Sequence, residues 1–146
     1  RQIDPNDIVN NARSKLGSSD WSTYVRKDNF KVGSNKCNKF VADVLNEVGA
    51  KVPNINGRLK GSPPTAGQWA DPNARIPGWS VVTNPQPGDV IAIPTPNAVD
   101  ATGHVGIVGG NNLTISASTI TDTVEENGWG FQKDQNPTFR RCECVE

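Results

Sequence analysis

Cys37 stands at the start of a helix-forming stretch, NKCNKFVADVLNEVG, and the chain's one histidine, His104, opens the run GHVGIVGG sixty-seven residues later. A thiol attacks carbonyl carbon as its thiolate, and at neutral pH a thiolate needs electrostatic support. A helix N-terminus and a neighbouring imidazole both supply it. The pair therefore points to a cysteine hydrolase. A cysteine on a helix is more often a small apolar residue, and a strand histidine is more often structural. Two placements favour chemistry instead: Cys37 lies at the helix start rather than within its apolar stripe, and His104 shares a strand face with glycine, where something must approach closely.

These two residues need a helix and a strand to hold them. The helix is expected from about Lys36 to Val48, with Phe40, Val41, Val44, Leu45 and Val48 forming one broad apolar stripe and Gly49 as the stop. An earlier helix is expected after Asp4 as N-cap, with Pro5 at its first position, Asp7 at N3, a stripe of Ile8, Val9, Ala12 and Leu16, and Gly17 as its end. Residues 18–35 are loop-like. Residues 51–87 are rich in Pro, Gly, Asn and Ser without a period, and read as a long surface loop pinned by Trp69 and Trp79, part of a groove wall. A turn at Pro87-Gly88-Asp89 then leads into a strand at 90–93. Residues 104–108 and 113–118 form a hairpin around Gly109-Gly110-Asn111-Asn112. Alternation puts His104, Gly106 and Val108 on one face, and Thr114, Ser116 and Ser118 on one face of the second arm. Helices first and strands later predict an α+β fold with an antiparallel sheet.

A chain of 146 residues fits one domain, 1–146, and can bury roughly 68–70% of its unfolded surface, enough to fold without disulfides or a metal. No apolar run approaches the roughly 20 residues of a membrane span, so membrane insertion is not expected. Formal charge balances at 15 basic and 15 acidic residues, yet residues 1–60 carry 11 basic against 6 acidic, and residues 61–146 carry 4 against 9. That polarity reads as solvated surface, and could also orient the protein on an anionic wall polymer. No basic cluster interleaved with aromatics appears, so nucleic acid is not an expected ligand. A chain that starts at Arg1 and contains no methionine reads as a processed or trimmed product. Three cysteines fit one pair plus a free thiol in an oxidising compartment, or three thiols in a cytosol; export is the expectation.

A helix with an N-terminal cysteine, then PGDVIAI, then GHVGIV, in that order, resembles the NlpC/P60 and CHAP superfamily of papain-like peptidoglycan amidases and endopeptidases. The string KCNKFVADVLNEVG looks closer to the type VI secretion amidase effectors, especially the second effector family and its domesticated animal relatives. The resemblance spans about Ile8 to Ser118 and implies a papain-like core in which the nucleophile helix packs on the sheet. It makes Cys37 the nucleophile and His104 its base. Ser116, twelve residues beyond His104, falls where a polar residue orients the imidazole, although it also reads as an ordinary strand residue and cannot supply the negative charge of an Asp. Tyr24 falls near a family tyrosine that serves the oxyanion site, with a half-buried loop aromatic as the alternative. Asn35 and Asn38, which flank the nucleophile, are the remaining candidate substrate contacts. Asn38 and Lys39 stand where small residues are usual, which favours the effector-like branch.

The chemistry implied is amide cleavage in peptidoglycan stem peptides or cross-links. The D-Ala–diaminopimelate cross-link is the first choice, with the γ-D-Glu–diaminopimelate and muramoyl–L-Ala bonds behind it, and cell lysis is the outcome. A thiolate–imidazolium pair would do the work, with helix-start N–H groups binding the oxyanion. No cofactor is needed. The implied partners are peptidoglycan and a cognate inhibitor or immunity protein, for a monomer acting outside the cell or in a bacterial periplasm. Two competitors stand beside this reading. Cys37, His104, Cys142 and Cys144 could form a Cys3His zinc set, although one intervening residue between the last two is tight. The chain could also be a non-catalytic wall-binding relative. A Cys142–Cys144 disulfide needs a bent tail, because an extended strand would hold the two Cα atoms about 6.6 Å apart.

Overall fold

The computed structural model describes residues 2–95 and 102–146. Asp4 caps α1 (Pro5–Ser14), its Oδ1 accepting the Asn6 N–H at 2.9 Å, with Pro5 in the first turn as expected. Ile8, Val9 and Ala12 are buried, whereas Leu16 lies past the helix end and is exposed, so the apolar stripe stops one turn sooner than the sequence suggests. Helix α2 (Cys37–Glu47) starts and ends close to expectation, and Gly49 takes the left-handed conformation, φ +86°, that ends it. Its stripe of Phe40, Val41, Val44 and Leu45 is fully buried on strands β3 (Gly103–Gly110) and β4 (Leu113–Ala117). Burying each such side chain contributes about 1.5–3 kcal/mol, which makes this face the main anchor of the nucleophile helix.

The stretch 51–87 is more ordered than its composition implies. Thr65 and Gln68 form a reciprocal capping box that starts the short helix α3 (Ala66–Ala70), and Trp79 opens β1 (Trp79–Val82). The signal was the pattern Thr-x-x-Gln. Trp69 and Trp79 do pin the segment, packing edge to face at 5.3 Å, with Trp79 Nε1 donating to the Lys51 carbonyl.

Strand β2 (Val90–Pro94), the β3–β4 hairpin, β5 (Val124–Asn127) and β6 (Thr138–Cys142) join β1 in one antiparallel sheet of order β1-β6-β2-β3-β4-β5. The hairpin turns at Asn111 and Asn112, both at positive φ, the mirror-image turn that matches strand twist. Sequence reading gave neither β5 nor β6, and β6 enters the sheet between β1 and β2. On one face Val105, Ile107 and Ile115 join α1 and α2 in the core. The His104 face is covered by the loop after β5, where Trp129 accepts a hydrogen bond from Thr114 Oγ1 through its carbonyl. Among the described residues no helix is long and apolar enough to cross a membrane.

Candidate active site

Helix α2 directs its first residue at the beginning of β3. Lys36, immediately before Cys37, is 1% exposed, and its ammonium donates to the carbonyls of Ser22, Lys31 and Ser34 at 3.0 Å each. A buried cation with three carbonyl partners fixes loop 22–34 beneath the helix start. The same loop is tied to residue 122, because Thr23 donates through both N–H and Oγ1 to Asp122 Oδ1 at 2.9 Å. Cys37 is buried, and its sulfur faces the backbone N–H groups of Val105 and Asn38. Val105 follows His104, so the register of β3 sets the thiol beside the histidine's own strand position.

His104 Nε2 lies 2.9 Å from Ser116 Oγ across the β3–β4 pair. Gly106 permits this spacing: a Cβ there would sit 2.6 Å from Thr114 Cγ2 and 3.0 Å from Ser116 Cβ. With Nε2 donating to the hydroxyl, Nδ1 is the nitrogen left to accept a proton. Trp129 packs edge-on to the imidazole, centroids 4.6 Å apart, and covers the His104–Ser116 contact. Two clefts meet at Asn35 and Gly103. The smaller, about 200 Å³, includes Phe30, Cys37, Asn38, Thr65 and Thr102. The other, about 330 Å³, includes His104, Ser116, Ser118, Glu125 and Trp129. Wider grooves of about 930 and 1230 Å³ lie elsewhere and touch neither Cys37 nor His104.

The electrostatics differ from the ion pair expected. Burial pushes the Cys37 thiol up to about 11, outweighing the N–H groups of Val105, Asn38 and Cys37 that favour the thiolate. Burial also pushes the His104 imidazole down to about 4. Burial thus disfavours both the thiolate and the imidazolium, because desolvation penalises both charges at once.

Of the sequence candidates, Cys37, His104, Ser116, Asn35 and Asn38 are gathered here. Asn35 Oδ1 accepts the Cys37 N–H at 3.1 Å in an Asx turn just ahead of the helix, whose N-cap is Lys36, and this removes that N–H from the set open to an oxyanion. Asn38 Nδ2 donates to the Pro64 carbonyl at 3.1 Å and ties segment 63–66 to the helix. Tyr24 is not gathered: it is 78% exposed and lines neither cleft. The core instead takes Trp21, edge-on to Phe40 at 5.1 Å, and Phe30 is the aromatic that reaches the thiol's cleft. Sequence reading missed Phe30, Trp129 and Glu125. Trp129 and Glu125 depend on β5 and the loop beyond it, whose four-residue strand shows no readable alternation.

The zinc set is not assembled. Cys142 and Cys144 form a disulfide, Cα atoms 5.0 Å apart across a turn, beside Asn46 and Gly49 at the far end of α2. Eleven helical residues put Cys37 about 15 Å from that end. Cys37 is the free thiol.

A helix carrying an N-terminal cysteine, packed on an antiparallel sheet that presents a histidine, defines a papain-like α+β fold. The sequence profile of the CHAP domain matches residues 25–127, more than two thirds of the chain, a span that includes Cys37, His104 and Ser116. The protein belongs to the CHAP domain family. Among solved structures it is similar to NlpC1 from Trichomonas vaginalis, with TM-score 0.62 and 19% identity over 99% of this chain and 45% of that one. A chain of the type VI effector–immunity complex Tae3–Tai3 from Ralstonia pickettii gives 0.54 and 19% over 96% and 99%. The P60 domain of an antigen from M. avium subspecies paratuberculosis gives 0.57 and 15% over 97% and 95%. At these identities the likeness is one of fold. This chain spans less than half of NlpC1. No curated protein matches the sequence.

Proposed function

We propose that residues 1–146 form one catalytic unit, a cysteine amidase or peptidase that cleaves an amide of bacterial peptidoglycan. The observation that carries this reading is the His104 Nε2–Ser116 Oγ contact at 2.9 Å beside a free thiol that faces the Val105 N–H. As Cys37 Sγ attacks the carbonyl carbon, its proton passes to His104 Nδ1, and the tetrahedral oxyanion forms near the Asn38 N–H. His104 returns the proton to the nitrogen as the C–N bond breaks, leaving a thioester and a free amine. Water then loses a proton to His104 and attacks the thioester, and the thiol regains its proton as acid is released. Ser116 holds the imidazole in the required tautomer, as a positioning residue.

The D-Ala–diaminopimelate cross-link is the first bond to assay, with lysis as its consequence. The γ-D-Glu–diaminopimelate and muramoyl–L-Ala bonds follow. An export route to the periplasm or the extracellular space, and an immunity or inhibitor partner, are parts of the same proposal. They are supported by the fold likeness to an effector–immunity component and by the pairing of one disulfide with one free thiol. Digestion of purified muropeptides, read by mass, tests the reading: wild type yields an acid and an amine fragment whose masses sum to substrate plus one water, and Cys37→Ala yields neither. Equal cleavage by the variant would refute it.

A further inference from the structure

Among the described residues that line the His104 cleft, one carries a formal charge, the carboxylate of Glu125. Glu125 on β5 is the Cα partner of Ser116 on β4, so the two side chains share the face that bears the imidazole. Its neighbour Glu126 points to the other face and is taken by Arg13 at 2.9 Å. Glu125 has no cationic partner among the described residues, and residues 96–101, PNAVDA, contain no Lys or Arg. Asn127 Nδ2 approaches Glu125 Oε2 at 3.5 Å, and the Glu125 side chain is among those that line the cleft. The rest of the lining includes Thr95, Ser118, Thr119 and the ring of Trp129, all uncharged. A half-buried carboxylate beside an indole is a site for an ammonium group.

We propose that Glu125 binds a free primary ammonium on the leaving-amine fragment of the substrate. This rests on the hydrolase reading, because His104 protonates the departing nitrogen and the leaving fragment therefore occupies the His104 cleft. The class selected is an amide of a diamino acid, lysine or diaminopimelate, whose second amine is unacylated. That favours the uncross-linked stem-peptide bond over the D-Ala–diaminopimelate cross-link, in which both amines are acylated.

The test measures binding of L-Ala-γ-D-Glu-L-Lys and its Nε-acetyl form to the Cys37→Ala protein by calorimetry, with and without Glu125→Gln. Acetylation and Glu125→Gln should each weaken binding about tenfold, the size of one charge-assisted hydrogen bond, and together no more than either alone. Equal affinity for the two peptides, or no measurable binding of either, overturns the proposal. Hydrolysis by the Cys37 protein is scored separately. Cleavage without a charge preference refutes the ammonium site alone, whereas a charge preference without cleavage of any muropeptide refutes the hydrolase reading and leaves an ammonium-binding cleft with no leaving fragment to hold.

Discussion

A buried thiol and a buried imidazole resist charge, and this sets how Cys37 reacts. With the thiol at about 11 and the imidazole at about 4, the pair keeps one proton across the neutral range. Iodoacetamide should therefore label Cys37 slowly at pH 7 and faster as pH rises toward 11. The disulfide leaves Cys37 as the free thiol, so intact mass reads the rate directly. Fast labelling that is flat from pH 5 to 8 would instead show a preformed thiolate. Ser116→Ala frees the imidazole to rotate and should lower kcat about tenfold to a hundredfold with KM little changed, a part of the 10²–10⁴ that positioned proton transfer supplies. Ser116→Thr keeps the hydroxyl and should restore most of the rate.

Helix α2 holds the sulfur by two means, a buried stripe and the Asx turn of Asn35 at its start. Phe40→Ala empties a fully buried site and should cost about 3–5 kcal/mol in urea unfolding. Asn35→Ala removes the hydrogen bond to the Cys37 N–H and should cost about 1 kcal/mol, with a larger proportional loss in kcat because the same bond orients the nucleophile. These elements were legible in the sequence because their signals are local: helical spacing from Phe40 to Leu45, Asp4-Pro5 at a helix start, and GHVGIV ahead of a turn. Ser116 was reached through alternation and family spacing, and it meets His104. Tyr24 stays exposed because its loop buries Trp21 in preference, a choice only tertiary packing makes. Asn35 and Asn38 lie where expected, yet both make structural hydrogen bonds that spacing could not reveal.

The sheet order, with β6 between β1 and β2, is a long-range outcome that no window of sequence carries. It places the disulfide at the end of the molecule remote from the thiol. That disulfide closes a loop with one residue between its cysteines, so reduction should cost about 1–2 kcal/mol and leave hydrolysis nearly unchanged. Stability should also depend on pH through His104. Its folded value lies near 4, below the ordinary 6.5, so the unfolded chain binds the proton that the folded chain refuses. Stability contributed by the neutral imidazole is fully present above about pH 6.5 and is lost as pH falls toward 4. The slope in thermal unfolding over that window should flatten in His104→Gln.

The acyl transfer itself can be caught. Protein mixed with muropeptides, quenched in acid within a turnover and digested, should yield the Cys37 peptide carrying the mass of the acyl fragment, released by hydroxylamine. Hydrolysis that proceeds with Cys37 never acylated would contradict the account at its centre.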